Sequence, residues 1–192
     1  MQISDRLLKR VPAYPKTLTF LGLIFGLTIP FVISYSFLAI LCLALSGFFD
    51  ILDGAVARYR KLSSEQGAVL DITCDRVVEF MVILGLFLVN PSERGMASLL
   101  MLGSILFCIT TFLVVGIFSQ NTTEKSFYYS PGLIERPEAF AFFALMMAFP
   151  KGFPYLAPLF TGLVILTGII RIYQFFRNTS MPKTRKIKSN RE

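Results

Sequence analysis

Four aspartates, Asp50, Asp53, Asp71 and Asp75, lie within 26 positions in a run that otherwise reads as membrane, "FFDILDGAVARYRKLSSEQGAVLDITCDRVVEF". With Asp50 as the origin and a helix turning about 100° per residue, Asp53 falls near about −60°, Gly54 near about +40° and Ala57 near about −20°. Two carboxylates and two very small residues therefore share one helix face. Gly67, Asp71 and Asp75 are each four apart and make a second stripe. A carboxylate at the bilayer centre costs about 2.5–3.5 kcal/mol, less near the interface, and four facing ones repel. Arg58 and Arg76 offset part of that charge. Divalent cations offset more of it: a ligand set of oxygens without His or Cys suits Mg²⁺, Mn²⁺ or Ca²⁺. Two such ions balance four carboxylates. Bound Mg²⁺ keeps positions open for water or substrate phosphates, and Gly54, Ala57 and Gly67 leave room on the same faces. The chemistry these residues point to is phosphoryl transfer on a pyrophosphate.

The elements that must position them are membrane helices. The chain has 192 residues, 54% of them hydrophobic and 16% charged, with a mean hydropathy of +0.64. A soluble domain carries about 25% charged residues. Apolar segments long enough to cross about 30 Å of hydrocarbon are expected near 17–35, 37–58, 67–89, 96–118, 133–149 and 154–176. Breaks fall at "SYS", "YRKLSSEQ", "NPSERG", "SQNTTEKSFYYSPG" and "PKGFP". The short "YRKLSSEQ" connection sets the second and third spans as antiparallel neighbours, so that the carboxylate stripes can face each other. Before the first span, Ile3, Leu7, Leu8 and Val11 recur at helical spacing between Arg6, Lys9 and Arg10, the pattern of a helix lying on the membrane surface.

Six spans put both termini on one side. Of the 19 Lys and Arg residues, only Arg94 and Lys151 fall on the other side, leaving 17 with the termini; both ends are therefore expected to be cytoplasmic. That distribution reads the net charge of +7 as membrane topology, with no nucleic-acid partner. Residues 1–178 form one membrane domain and 179–192 a basic tail that touches anionic headgroups. The chain has no histidine, which removes His-based acid–base catalysis, Ser-His triads and His metal sites. Cys42, Cys74 and Cys108 lack metal-ligand spacing and read as small buried hydrophobes.

The pattern Asp50-x-x-Asp53-Gly54-x-x-Ala57-Arg58, eight residues, then Gly67-x-x-x-Asp71-x-x-x-Asp75 resembles the signature of the CDP-alcohol phosphotransferase family at every position. The resemblance implies an all-α integral membrane fold of six transmembrane helices with an N-terminal interfacial helix. It also implies a homodimer in the plasma or inner membrane whose site opens to cytosol and lipid. By position, Asp50, Asp53, Asp71 and Asp75 would hold two divalent cations, Mg²⁺ or Mn²⁺, with Asp75 also the general base. Gly54, Ala57, Arg58 and Gly67 would line the CDP-alcohol site. The implied reaction is attack by a hydroxyl acceptor on the phosphorus bearing the lipid or alcohol, with CMP leaving, as in phospholipid biosynthesis from a donor such as CDP-diacylglycerol. One position departs: Lys16 stands in "YPKTLT" where members often carry Asn after Pro, and a lysine would meet phosphate as a point charge.

On the acceptor side, Lys125, Arg136 and Arg171 are candidates for binding an anionic acceptor, and "GLIER" (132–136) is similar to the corresponding region of members that use inositol phosphate. The plainer reading is positive-inside anchoring, with Glu135 and Arg136 paired. An ion-coupled transporter without nucleotide chemistry is the alternative function. It predicts broken helices or inverted repeats, and the sequence shows neither. Aspartate-rich prenyltransferases use two distant motifs, whereas both motifs here lie within 26 positions.

Overall fold

A computed structural model of the chain describes residues 14–120 and 133–179. The expected surface helix at the N-terminus, the basic tail beyond 179 and Lys125 lie outside the described residues. Among the described residues the fold is all helical: α1 (Pro15–Val32), α2 (Ser36–Tyr59), α3 (Glu65–Leu88), α4 (Pro91–Gln120), α5 (Arg136–Ala148), a 3₁₀ turn at Pro150–Gly152, and α6 (Phe153–Thr179). Four of these are long and apolar enough to cross a membrane, namely α1, α2, α4 and α6 with its preceding 3₁₀ turn. The other two are not, each for its own reason: α3 carries Asp71, Asp75, Arg76 and Glu79, and α5 has 13 residues, about 20 Å at 1.5 Å per residue.

Two boundaries differ from expectation. "NPSERG" is not a loop but the start of α4. Asn90 acts as its cap, its Oδ1 accepting from the Glu93 amide at 3.4 Å and its carbonyl from Arg94 N–H at 2.9 Å. Pro91 then takes the first helical position, where a missing N–H costs nothing. In the expected fifth span, the helix begins only at Arg136. Glu135 caps it in a reciprocal box with Glu138, and Pro150 ends it one residue after Phe149, since a residue before proline leaves the helical region.

Helix α1 packs along both α2 and α3; α4 packs on α6 and α3, α5 on α2, and α6 on α5. The two helices that carry the aspartates are not themselves a closely packed pair. They meet across α1 and across the carboxylates, rather than side by side as the short connection suggests. Within a membrane, helices associate through close packing of small residues more than through hydrophobic force. A Cβ at Gly22 would lie 3.2 Å from the Ser46 carbonyl of α2, and one at Gly26 only 2.5 Å from Val78 Cγ2 of α3. These two glycines bring α1 close enough to both carboxylate helices to hold them in register. The buried core lies below the site, with Ile29, Leu43, Val82, Leu86, Met101, Phe143 and Phe160 all within 2% of full burial; Phe143 and Phe160 join α5 to α6 at 5.3 Å between ring centroids.

Candidate active site

Asp50 and Asp53 sit near the C-terminal end of α2, Asp71 and Asp75 in the N-terminal half of α3, and Arg136 opens α5. Chain direction brings these three ends to one end of the bundle. The Ser64 side chain accepts from the Gly67 amide at 3.1 Å and caps α3, so the helix carrying Asp71 and Asp75 starts at a defined point. Arg136 is aimed in the same way: the Glu135–Glu138 box fixes the first turn of α5, and Ile134 N–H donates to Thr167 Oγ1 of α6 at 3.1 Å.

One carboxylate oxygen from each of Asp50, Asp53 and Asp71 falls within 4.8 Å of the others. Asp71 Oδ1 is buried and, among the described residues, has no hydrogen-bond partner. A buried, orphaned oxygen among three converging carboxylates fits a hard divalent cation, which would replace the missing donor. Asp53 is buried and accepts from Thr19 Oγ1 of α1. Asp75 engages Arg136 instead: the guanidinium reaches Asp75 Oδ1 at 2.5 Å and Asp50 Oδ1 at 2.6 Å. Arg136 thereby ties α5 to both carboxylate helices through charge-assisted bonds.

Two clefts adjoin this cluster. The first, of about 520 Å³, is lined by Lys16, Thr19, Asp53, Gly54, Ala57, Arg58, Ser64, Gly67 and Asp71 among others. It gathers the residues expected for the nucleotide. Gly54 leaves room for Arg58, whose guanidinium would lie 3.3 Å from a Cβ there. Lys16 Nζ reaches Gln66 Oε1 at 3.5 Å across the cleft mouth. The second, of about 390 Å³, runs between α3, α4, α5 and α6 and holds Asp75, Arg76, Glu79, Arg136 and Arg171. Asp75 lines the second cleft and Asp71 the first, one helical turn apart on α3.

A sequence model of the CDP-alcohol phosphatidyltransferase family matches residues 13–175. The chain belongs to that family. Family members transfer a substituted phosphate group from a CDP-alcohol to a hydroxyl acceptor with divalent cations and release CMP, and this is the activity of the chain; the transporter alternative is set aside. Among curated relatives, the inner membrane protein YnjF of Escherichia coli is 30% identical over 88% of this chain and 85% of its own. The phosphatidylinositol phosphate synthase of Mycobacteroides abscessus is 36% identical over 64% of this chain and 54% of its own, so the chain spans about half the length of that relative. Two solved structures of the Mycobacterium tuberculosis phosphatidylinositol phosphate synthase share the fold. One, with manganese and citrate, is 23% identical, with a TM-score of 0.66 over 89% of this chain and 86% of that one. The other, with CDP-DAG bound, is 25% identical, with a TM-score of 0.61 over 90% and 89%. Together with the YnjF relative, the apolar helices make this CDP-alcohol phosphatidyltransferase an integral membrane protein.

Of the residues expected at the site, Asp53, Asp71, Gly54, Ala57, Arg58 and Gly67 line the first cleft; Asp50 converges with Asp53 and Asp71, and Asp75 lines the second cleft. Arg136 and Arg171 both line the second. Arg171 Nη1 donates to the Cys108 carbonyl at 3.1 Å and lies over the Phe112 ring; among the described residues it has no carboxylate partner. Two contributors went unread in the sequence. Thr19 is 34 positions from Asp53, and no local pattern joins them. Glu79 had a readable signal: it continues the four-residue stripe from Gly67 through Asp71 and Asp75 by one more turn.

Proposed function

We propose that this phosphatidyltransferase transfers a phosphatidyl group from CDP-diacylglycerol to a phosphorylated hydroxyl acceptor, and that the two clefts divide the substrates between them. The observation that carries this reading is the position of the Asp71–Asp75 turn, with a nucleotide-sized cleft on one side and an arginine-lined cleft on the other. A relative 25% identical binds CDP-DAG, and others are phosphatidylinositol phosphate synthases; both support a lipid donor and an anionic acceptor. Asp50, Asp53, Asp71 and Asp75 would hold two divalent cations, which supply charge stabilisation at the attacking and leaving oxygens. Gly54, Ala57, Arg58 and Gly67 bind the CDP moiety, Arg58 by its charge and the three small residues by the space they leave.

In the second cleft Asp75 takes the proton of the acceptor hydroxyl. The hydroxyl oxygen attacks the phosphorus bearing the lipid, the bond to the CMP oxygen breaks, and CMP departs through the first cleft. Arg171, a guanidinium without a carboxylate partner among the described residues, draws the acceptor's phosphate into the cleft. Arg136, already on Asp75, sets that phosphate within one side chain of the base, and Lys125 is a further candidate by sequence. Six helices cross the membrane as a bundle, α3 and α5 sheltered by the others, with both termini cytoplasmic in the plasma or inner membrane. The protein works as a homodimer.

The test is CMP release by the purified protein with Mn²⁺, CDP-diacylglycerol and a panel of acceptors: inositol phosphate, glycerol 3-phosphate, inositol and serine. Phosphorylated acceptors are expected to drive release, and Arg171→Ala to raise the acceptor KM at least tenfold. Release driven equally by the unphosphorylated acceptors would overturn the reading.

A further inference from the structure

A third cleft, of about 900 Å³, opens between the first turns of α4 and α6. It lies at the end of the bundle away from the aspartates: Val89, on its wall, is about 21 Å beyond Asp75 along the axis of α3. Its long walls are apolar, with Met96, Ala97 and Leu100 on α4 and Pro154, Pro158 and Gly162 on α6. Its rim is basic. Arg94 and Lys151, the two basic residues that the expected span order sets apart from all others, both line it. Arg94 is 7% exposed. It donates to the Leu86 carbonyl at 3.1 Å and to the Pro150 carbonyl at 2.8 Å, and its guanidinium lies 4.4 Å from the Phe153 ring centroid. These contacts place the guanidinium without supplying a counter-charge, and among the described residues no carboxylate pairs with it. Glu93 lines the same rim but is exposed, where water screens it. Further in, about 10 Å along α6 from Pro154, Thr161 Oγ1 is buried and, among the described residues, has no hydrogen-bond partner.

We propose that this cleft binds a membrane phospholipid, with its phosphate at Arg94 and Lys151 and one acyl chain between α4 and α6. A buried ionisable group among membrane helices is costly and marks a functional contact. A phosphate supplies the anion that Arg94 lacks. Helices α4 and α6 both begin at this end, so their N-termini add partial positive charge at the rim. Basic pockets between membrane helices hold anionic headgroups in this way. Below the phosphate, an ester oxygen gives the Thr161 hydroxyl the acceptor it is missing. From rim to depth the cleft presents cations, a hydroxyl and an apolar channel, the order in which a phospholipid carries its phosphate, its esters and its chains. This lipid is a bound partner of the bundle and not the donor, whose metal centre lies at the other end of α3.

The test uses the purified full-length protein, stripped of native lipid in detergent. Native mass spectrometry counts bound dioleoylphosphatidylglycerol per protomer, with dioleoylglycerol, the same chains without the phosphate, as the comparison. Wild type is expected to hold the phospholipid and not the diacylglycerol. Lys151→Ala should raise the concentration needed for half-occupancy about fivefold. A Cβ at Gly162 would meet nothing within 4 Å, so Gly162→Leu fills the groove without displacing a neighbour and should bind one phospholipid fewer per protomer. CMP release should be unchanged in both variants, which separates this site from the donor cleft. Phospholipid binding equal to wild type in both variants, or equal uptake of the diacylglycerol, would show only the lipid that surrounds any membrane helix and would overturn the proposal. A change in the mass of the assembly with Gly162→Leu would make the groove an interface between copies and overturn it as well. If the leucine variant folds poorly, Lys151→Ala decides alone.

Discussion

At the residue scale, the site is a set of carboxylates whose orientation is borrowed from neighbours. Asp53 is aimed by Thr19 Oγ1, and Asp50 and Asp75 by Arg136. Groups that orient metal ligands typically contribute 10–100-fold to affinity. Thr19→Val keeps the shape and removes the donor. It should weaken Mn²⁺ binding by roughly tenfold, read as a rightward shift in the Mn²⁺ dependence of CMP release and in direct Mn²⁺ binding, with the helical content unchanged. Asp71→Asn removes a ligand outright; turnover should fall to background while the protein still elutes as a folded species. Full turnover in Asp71→Asn would mean that the cluster is not the metal centre. Most of this scale was legible beforehand, because the aspartates and small residues repeat at three and four positions within one helix. The orienting contacts were not. Thr19 meets Asp53, and Arg136 meets Asp50 and Asp75, only after helices far apart in sequence have packed.

At the element scale, α1 is the part that places two carboxylate helices it does not itself contribute to. Its glycines set the distance. A Cβ at Gly26 would fall 2.5 and 3.0 Å from the two Val78 methyls, closer than side-chain carbons approach. Gly26→Ala should therefore force α3 outward, costing about 1–3 kcal/mol in stability and reducing turnover through the displaced Asp71 and Asp75. Val78→Ala removes both methyls, so the double variant should recover most of the loss, a coupling that independent effects would not show. Additive losses in thermal unfolding would place the strain elsewhere. The helix order was readable from turn chemistry, and four of the six helices lie close to their expected limits. The exceptions have local causes: Asn90 and Pro91 start α4 where a loop was expected, and Pro137 and Pro150 bracket α5 into a helix too short to cross a bilayer unaided. Periodicity also could not show that α2 and α3 stand apart with α1 packed against both, since a short connection constrains only the ends it joins.

At the scale of the whole molecule, the four apolar spans form a frame that carries two helices a membrane would not accept alone. Helix α3 brings three carboxylates and an arginine into that frame, and their repulsion is offset by that arginine, Arg76, and by Arg136 of α5. A bound cation relieves that repulsion in the folded bundle only, because an unfolded chain no longer gathers the oxygens. Binding to the native state alone stabilises by RT ln(1 + [L]/Kd), about 2.7 kcal/mol at a hundred times Kd. Thermal unfolding of the detergent-solubilised protein should thus move upward with Mn²⁺ concentration and return on chelation, without any substrate present. Asp71→Asn should start at the same or a higher unfolding temperature, since one of the repelling charges is gone, and should lose the Mn²⁺-dependent rise. A Mn²⁺ response equal to wild type in that variant would show that the stabilising ion sits outside the aspartate cluster. An unfolding temperature lowered by the neutral amide would show that Asp71 is held by partners other than a cation.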